Sequence, residues 1–118
     1  MLTQKMKQPF KTAQPVLFPP LADRAAWESL PGAARWAAAG QAAQTAPELP
    51  LSLWLQFTRS GDRAKWEHAY FARRRTLCAL AMAEAVTNRG TYLPALADLA
   101  WRICEESAWQ LPAHNSYI

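Results

Sequence analysis

The side chains best suited to chemistry lie near the end of the chain, between Trp109 and Asn115. The imidazole of His114 can take or give a proton near neutral pH, and the carboxamide of Asn115 can donate a hydrogen bond. The indole of Trp109 is suited to stacking on the apolar face of a sugar ring. A helical pattern over residues 92–107 leads directly into this segment. The spacing therefore predicts a binding site at a helix end.

The neighbouring carboxylates Glu105 and Glu106 do not form a glycosidase pair, because adjacent helical residues point about 100° apart. Negative charge near a helix C-terminus is disfavoured, so both need partners. Arg102 and the run Arg73–Arg75 supply guanidinium groups, and at least one of the three consecutive arginines must face a neighbouring helix. We predict structural ion pairs among four side chains: Arg74, Arg102, Glu84 and Glu106. Substrate recognition by the arginines is the alternative.

Six tryptophans are many for a chain of 118 residues. Four of them fall on apolar faces of helical patterns, where a large indole is an ordinary core residue: Trp27, Trp36, Trp54 and Trp66. Trp109 follows a helix end and precedes a proline-containing loop, so a cleft role and a packing role both stay open. His68, in the middle of a helical pattern, is interpreted as structural.

The motifs of metal and cofactor sites are absent from the sequence. Cys78 and Cys104 lie in separate helical patterns without the spacing of metal ligands, and we predict that both are buried free thiols. The chain has no glycine-rich phosphate loop and no nucleophile elbow. We therefore expect neither a metal nor a cofactor.

Proline, glycine and capping residues divide the chain into segments. Residues 1–20 form a proline-rich, extended lead-in. Asp23 and Asp62 are N-cap candidates, Pro31 suits the first position of a helix, and Gly61 suits a helix end. Five helices are predicted, over residues 23–30, 31–45, 51–59, 62–88 and 92–107. Thr91 is the predicted cap of the last helix. The fourth helix would span roughly 40 Å against roughly 24 Å for the fifth, so we expect a break at residues 68–70.

The composition predicts an all-α fold for residues 21–118, since alanine is abundant and no segment alternates Val, Ile or Thr. In the last predicted helix, Tyr92, Leu96, Leu99 and Ile103 form one apolar stripe. Trp101, Cys104 and Ala108 form a second. A helix that is apolar nearly all round is expected to be wrapped by neighbours. The pattern favours antiparallel helical hairpins arranged as an α-toroid or a solenoid over a closed bundle.

The segment Trp101–Asn115 resembles the N-terminal region of bacterial heparinase II/III-family proteins, a group of polysaccharide lyases and lyase-like enzymes. Earlier pieces resemble that family in the same order and with similar spacing. They are Leu17–Pro20, Arg24 with Trp27, Leu30–Pro31, Phe57–Arg63 and Tyr70–Arg75. The resemblance covers most of the chain after residue 17 and consists of scaffold segments.

The resemblance implies an incomplete (α/α) toroid followed by a β-sandwich domain in a longer chain, of which this sequence would be an N-terminal fragment. The implied activity is β-elimination on a glycan that contains uronic acid. In that reaction His114 and Asn115 could neutralise the sugar carboxylate, and Tyr117 could protonate the departing oxygen. The family's main catalytic Asn, Tyr and His residues lie further along. We therefore treat Trp109, His114, Asn115 and Tyr117 as substrate-binding candidates.

The net charge of +4 and the isoelectric point near 9.4 suit an acidic polysaccharide or oligosaccharide as partner. A nucleic-acid partner is not expected, because the basic residues are dispersed and no nucleic-acid-binding motif is present. No secretion signal and no run of about 20 apolar residues is visible, which predicts a cytoplasmic protein without a membrane span. The alternative function is a stand-alone helical module that binds protein or glycan without catalysis. The oligomeric state stays open.

Overall fold

The computed structural model describes residues 18–43 and 45–114, and these residues contain helices and no strand. The all-α prediction is therefore confirmed for this part of the chain. The elements in chain order are α1 (Arg24–Glu28), α2 (Ala33–Ala42), α3 (Leu51–Ser60), α4 (Ala64–Thr87), α5 (Leu93–Cys104) and a 3₁₀ turn (Pro112–His114). The toroid stays a prediction, and the lead-in before residue 18 lies outside the described residues.

The first two helices are shorter than predicted, and the turn between them explains why. Asp23 caps α1 as expected, with its carboxylate accepting a hydrogen bond from the Ala26 N–H at 3.1 Å. Gly32 then adopts a left-handed conformation with φ of +85°, so Pro31 belongs to a turn and not to α2. The predicted helix over residues 31–45 was wrong at both ends.

The long helix α4 is continuous, and the predicted break at residues 68–70 does not occur. Its length is accommodated because successive segments pack against different neighbours. Trp66 contacts Trp54 of α3 near the start, and Leu80 packs against α5 further along. Near the end, the Arg24 guanidinium of α1 donates to the carbonyls of Ala85 and Val86 at 2.9 and 2.6 Å. A cation at that position also matches the dipole of the helix C-terminus.

The core lies between α4, α5 and the segment that follows α2. Its buried members are Ala46, Leu80, Leu99 and Ile103, with Ala43, Leu77, Tyr92 and Leu96 packed against them. Three of the four residues in the predicted apolar stripe of the last helix lie on α5 and belong to this core. They are Leu96, Leu99 and Ile103, which recur at the 3.6-residue period of a helix. The fourth residue, Tyr92, is the N-cap of α5. The helix therefore begins at Leu93, one residue later than a cap at Thr91 would place it.

The second predicted stripe is exposed at Trp101 and Cys104, contrary to the expectation of a helix wrapped all round. Its third member, Ala108, lies beyond the end of α5 and is half-buried. Cys78 is exposed too, so the prediction of buried thiols was wrong, although both cysteines are free. No helix among the described residues is both long and apolar enough to cross a membrane.

Candidate functional site

The centre of the site is the side chain of Arg73, which projects from the middle of α4 and is only 5% exposed. Its Nη1 donates to Glu106 Oε1 at 3.0 Å, and its Nε donates to the Pro47 carbonyl at 2.7 Å. The Glu106 side chain is 4% exposed. A buried guanidinium requires such partners, because an unpaired buried charge is costly. Arg73 therefore joins the chain after α5 to the loop between α2 and α3.

The same Glu106 carboxylate also forms an ion pair with Arg74, the next residue of α4. Arg74 Nη1 and Nη2 donate to the two Glu106 oxygens at 3.0 and 2.5 Å, in the two-pronged geometry that guanidinium and carboxylate favour. The Arg74 guanidinium also lies 3.4 Å from the centre of the Tyr70 ring. Two arginines thus converge on one carboxylate, with Glu106 in the structural ion pair that the sequence predicted for it.

Arg102, from the last turn of α5, forms an ion pair with Glu48, a residue outside the four for which the sequence predicted ion pairs. Glu48 lies in the loop between α2 and α3, and its other oxygen is 3.4 Å from Arg73 Nη2. We call these five side chains the arginine network: Glu48, Arg73, Arg74, Arg102 and Glu106. A pair between Arg102 and Glu106 would have stayed within one segment, whereas the observed pair ties α5 to a distant loop.

Glu84 takes no part in this network. Its carboxylate accepts hydrogen bonds from the backbone N–H groups of Gly90 and Tyr92, at 2.6 and 2.9 Å. It thus holds the turn that joins α4 to α5. The predicted ion pair of Glu84 is replaced by charge-assisted hydrogen bonds to the backbone, which satisfy a buried carboxylate equally well.

A cavity of about 900 Å³ opens beside the arginine network. We call it the tryptophan cleft, and its lining includes Trp54, Trp66, Trp109, Arg73, Arg102 and Glu48. Glu105 and Glu106 also line it, so guanidinium and carboxylate groups alternate with indoles around the cavity. This combination of a few polar groups with aromatic walls is typical of small-ligand sites.

The three tryptophans of the cleft occupy different environments. Trp54 and Trp66 meet edge to face, with ring centres 5.0 Å apart, and Trp66 is buried. Trp109 is 63% exposed, and its backbone carbonyl accepts a hydrogen bond from the Tyr70 hydroxyl at 3.0 Å. That bond fixes the backbone and leaves the Trp109 indole accessible. Among the described residues, the buried Nε1 of Trp66 has no hydrogen-bond partner.

The remaining predicted binding residues do not join Trp109 in the cleft. His114 is exposed on the 3₁₀ turn and does not line the cavity. Asn115 and Tyr117 lie outside the described residues. His68, interpreted as structural, is exposed on α4. Of the four tryptophans assigned to the core, Trp27 and Trp66 are buried, whereas Trp36 and Trp54 are half-buried. Within the described ranges, no cluster of three or more potential ligands could hold a metal.

Sequence reasoning missed Glu48 and the central position of Arg73. The signal for Glu48 was present but faint, because it lies between Pro47 and Pro50 in a segment interpreted only as a helix boundary. The arginine run was predicted to turn at least one member inward, and Arg73 is that member. Besides Glu106 it contacts Glu48, which lies 25 residues away in the sequence. Periodicity within helices carries no information on such a contact.

Comparison with protein-family models and with curated protein sequences finds no match to this chain. The resemblance to heparinase II/III-family proteins therefore stays a proposal.

Proposed function

We propose that this protein binds acidic oligosaccharides in the tryptophan cleft, and that it forms the N-terminal helical part of a heparinase II/III-like polysaccharide lyase. The observation that carries the proposal is the meeting of three indoles and two guanidinium groups around one open cavity. Indoles offer flat apolar surfaces to sugar rings, and guanidinium groups bind carboxylates in a planar, two-pronged manner.

Trp109 is the best placed of the indoles to receive a sugar. Its side chain is 63% exposed at the cleft, while its backbone is held by Tyr70. A large exposed aromatic surface with a fixed backbone loses little conformational entropy when a ligand stacks on it. Trp66 contributes differently, because an acceptor oxygen that reached its buried Nε1 would satisfy an unpaired donor.

The polar side chains of the cleft offer a ligand both donors and acceptors of hydrogen bonds. Two arginines and three glutamates line the cavity, so polar groups of the ligand meet both donors and acceptors. The net charge of +4 on the whole chain adds a long-range attraction for an acidic polymer. The family resemblance places the main catalytic residues of a lyase further along a longer chain. The function proposed for the residues described is therefore binding and positioning, with β-elimination assigned to the full-length enzyme.

A comparison of two exposed tryptophans tests the proposal. Trp109 lies on the tryptophan cleft, whereas Trp101 is similarly exposed but lines a separate cavity, between α5, α4 and the segment after α2. We expect Trp109→Ala to weaken binding of an oligogalacturonate by roughly tenfold, a loss of about 1.4 kcal/mol typical of an aromatic contact residue. Trp101→Ala should leave the dissociation constant unchanged. Isothermal titration calorimetry measures both.

The melting temperature of each variant serves as the control for folding. Both indoles are mostly exposed, so neither substitution should lower it by more than a few degrees. Equal weakening by the two variants would contradict the cleft assignment. Absence of oligogalacturonate binding by the folded wild-type protein would contradict the proposed function itself.

A further inference from the structure

Glu48 is exposed to solvent and also forms ion pairs with two arginines. Its side chain is 79% exposed, yet its two carboxylate oxygens each contact a different arginine of the cleft. Oε1 pairs with Arg102, and Oε2 lies 3.4 Å from Arg73 Nη2. An exposed carboxylate that bridges two guanidinium groups occupies the position in which a carboxylate ligand would bind them.

We propose that Arg73 and Arg102 form a carboxylate-binding subsite of the tryptophan cleft, and that Glu48 occupies this subsite until a ligand carboxylate displaces it. The inference rests on the proposed function, because it identifies a uronate carboxylate as the ligand group that enters. The subsite would make the cleft specific for acidic sugars, because a neutral sugar has no carboxylate to replace that of Glu48 between the two arginines.

The exchange is energetically feasible because Glu48 is weakly held and Arg73 is not. An ion pair with a solvent-exposed carboxylate contributes little to stability. When Glu48 leaves, Arg73 keeps its bonds to Glu106 at 3.0 Å and to the Pro47 carbonyl at 2.7 Å. Arrival of the ligand carboxylate restores the lost negative charge, so the buried guanidinium is never left without a partner.

The loop that carries Glu48 is built so that its side chain can move alone. Pro47 and Pro50 restrict the backbone on both sides of Glu48, and the Pro47 carbonyl is bound to Arg73 Nε. Ala46, one residue earlier, is buried in the core. The loop backbone is therefore anchored at one end, and rotation of the Glu48 side chain into solvent suffices to vacate the subsite.

Removal of the internal carboxylate tests the inference. Wild type, Glu48→Ala and Glu48→Gln are titrated calorimetrically with an oligogalacturonate and with the neutral oligogalactoside of equal length. We expect both variants to bind the acidic ligand more tightly, by about twofold to tenfold, because competition from a surface ion pair is lost. Affinity for the neutral ligand should not change.

Glu105→Ala is the matched control, because Glu105 lines the same cleft and its removal changes the net charge equally. No ion pair of Glu105 is found within the described part of the chain. A gain confined to the Glu48 variants and to the acidic ligand supports the subsite. An equal gain in the Glu105 variant, or no gain in either Glu48 variant while wild type binds, overturns the subsite but leaves the proposed function standing. If none of the proteins binds either ligand, the result contradicts both the proposed function and the subsite.

Discussion

At the scale of single residues, two adjacent glutamates differ sharply in environment. Glu106 is 4% exposed at the side chain and binds both Arg73 and Arg74, whereas Glu105 is exposed at the end of α5. The contrast arises where the chain leaves α5, because Glu105 is the C-cap of the helix and Glu106 lies in the segment that turns toward α4. One carboxylate therefore holds the arginine network together, and the other faces the cleft and solvent.

We expect Glu106→Gln to lower the free energy of unfolding by about 3 kcal/mol, because it leaves a buried guanidinium without its ionic partner. Glu105→Gln, one residue earlier and of identical chemistry, should change it by less than about 0.5 kcal/mol. Urea unfolding followed by circular dichroism measures both. Equal stability of the two variants would show that the network does not stabilise the fold.

The sequence predicted part of this network. Three consecutive arginines on one helix cannot all face solvent, and Glu106 needed a partner near a helix C-terminus. The pairing of Arg102 with Glu48 was not predictable, because it depends on how the loop between α2 and α3 crosses the end of α5. Local patterns define helices and their faces, but they do not define the path of a loop between them.

At the scale of elements, α2 and α4 approach each other closely at Gly40. A methyl group placed on Gly40 would lie 2.2 Å from Ala83 Cβ and 3.2 Å from the Tyr92 ring. Ala83 is fully buried. The absence of a side chain at Gly40 therefore allows the two helices to pack. The sequence shows Gly40 only as one glycine within an alanine-rich helix, and the contact that requires it becomes apparent in three dimensions.

Gly40→Ala should lower the free energy of unfolding by about 1–3 kcal/mol, the usual cost of overpacking, although alanine is the better helix former. Combining it with Ala83→Gly removes the clashing methyl group. The double variant should be more stable than the sum of the two single effects predicts, by at least about 0.5 kcal/mol. Thermal and urea unfolding of the four proteins gives this coupling. Strict additivity would mean that the two residues are not in contact.

Two of the predicted capping residues define helix ends, whereas the predicted N-caps Asp62 and Thr91 each lie one residue before the observed ones. Asp23 caps α1, and Gly61 ends α3 in a left-handed conformation, as the sequence indicated. The prediction was wrong at Pro31, because the left-handed Gly32 beside it forms a turn. It was also wrong for α4, because a helix needs no break when different neighbours cover successive parts of its length.

At the scale of the whole molecule, α4 is the element that the others share. Its start contacts α3, its middle carries the arginine network and the core, and its end is bound by Arg24 of α1. The all-α class was predictable from composition. The position of the tryptophan cleft was not, because α3, the α2–α3 loop and the segment after α5 meet there through contacts between residues far apart in the sequence, such as Arg102 with Glu48.

The measurement that tests the central claim most directly is a heteronuclear NMR titration of the indole N–H signals. The six tryptophans give six such signals. On addition of an oligogalacturonate, we expect the signals of Trp54, Trp66 and Trp109 to shift with one common dissociation constant. Those of Trp27 and Trp101 should stay in place, because Trp27 is buried on α1, Trp101 lines a separate cavity, and neither lines the tryptophan cleft. Shifts confined to Trp101, or no shifts at saturating ligand, would contradict binding in the tryptophan cleft.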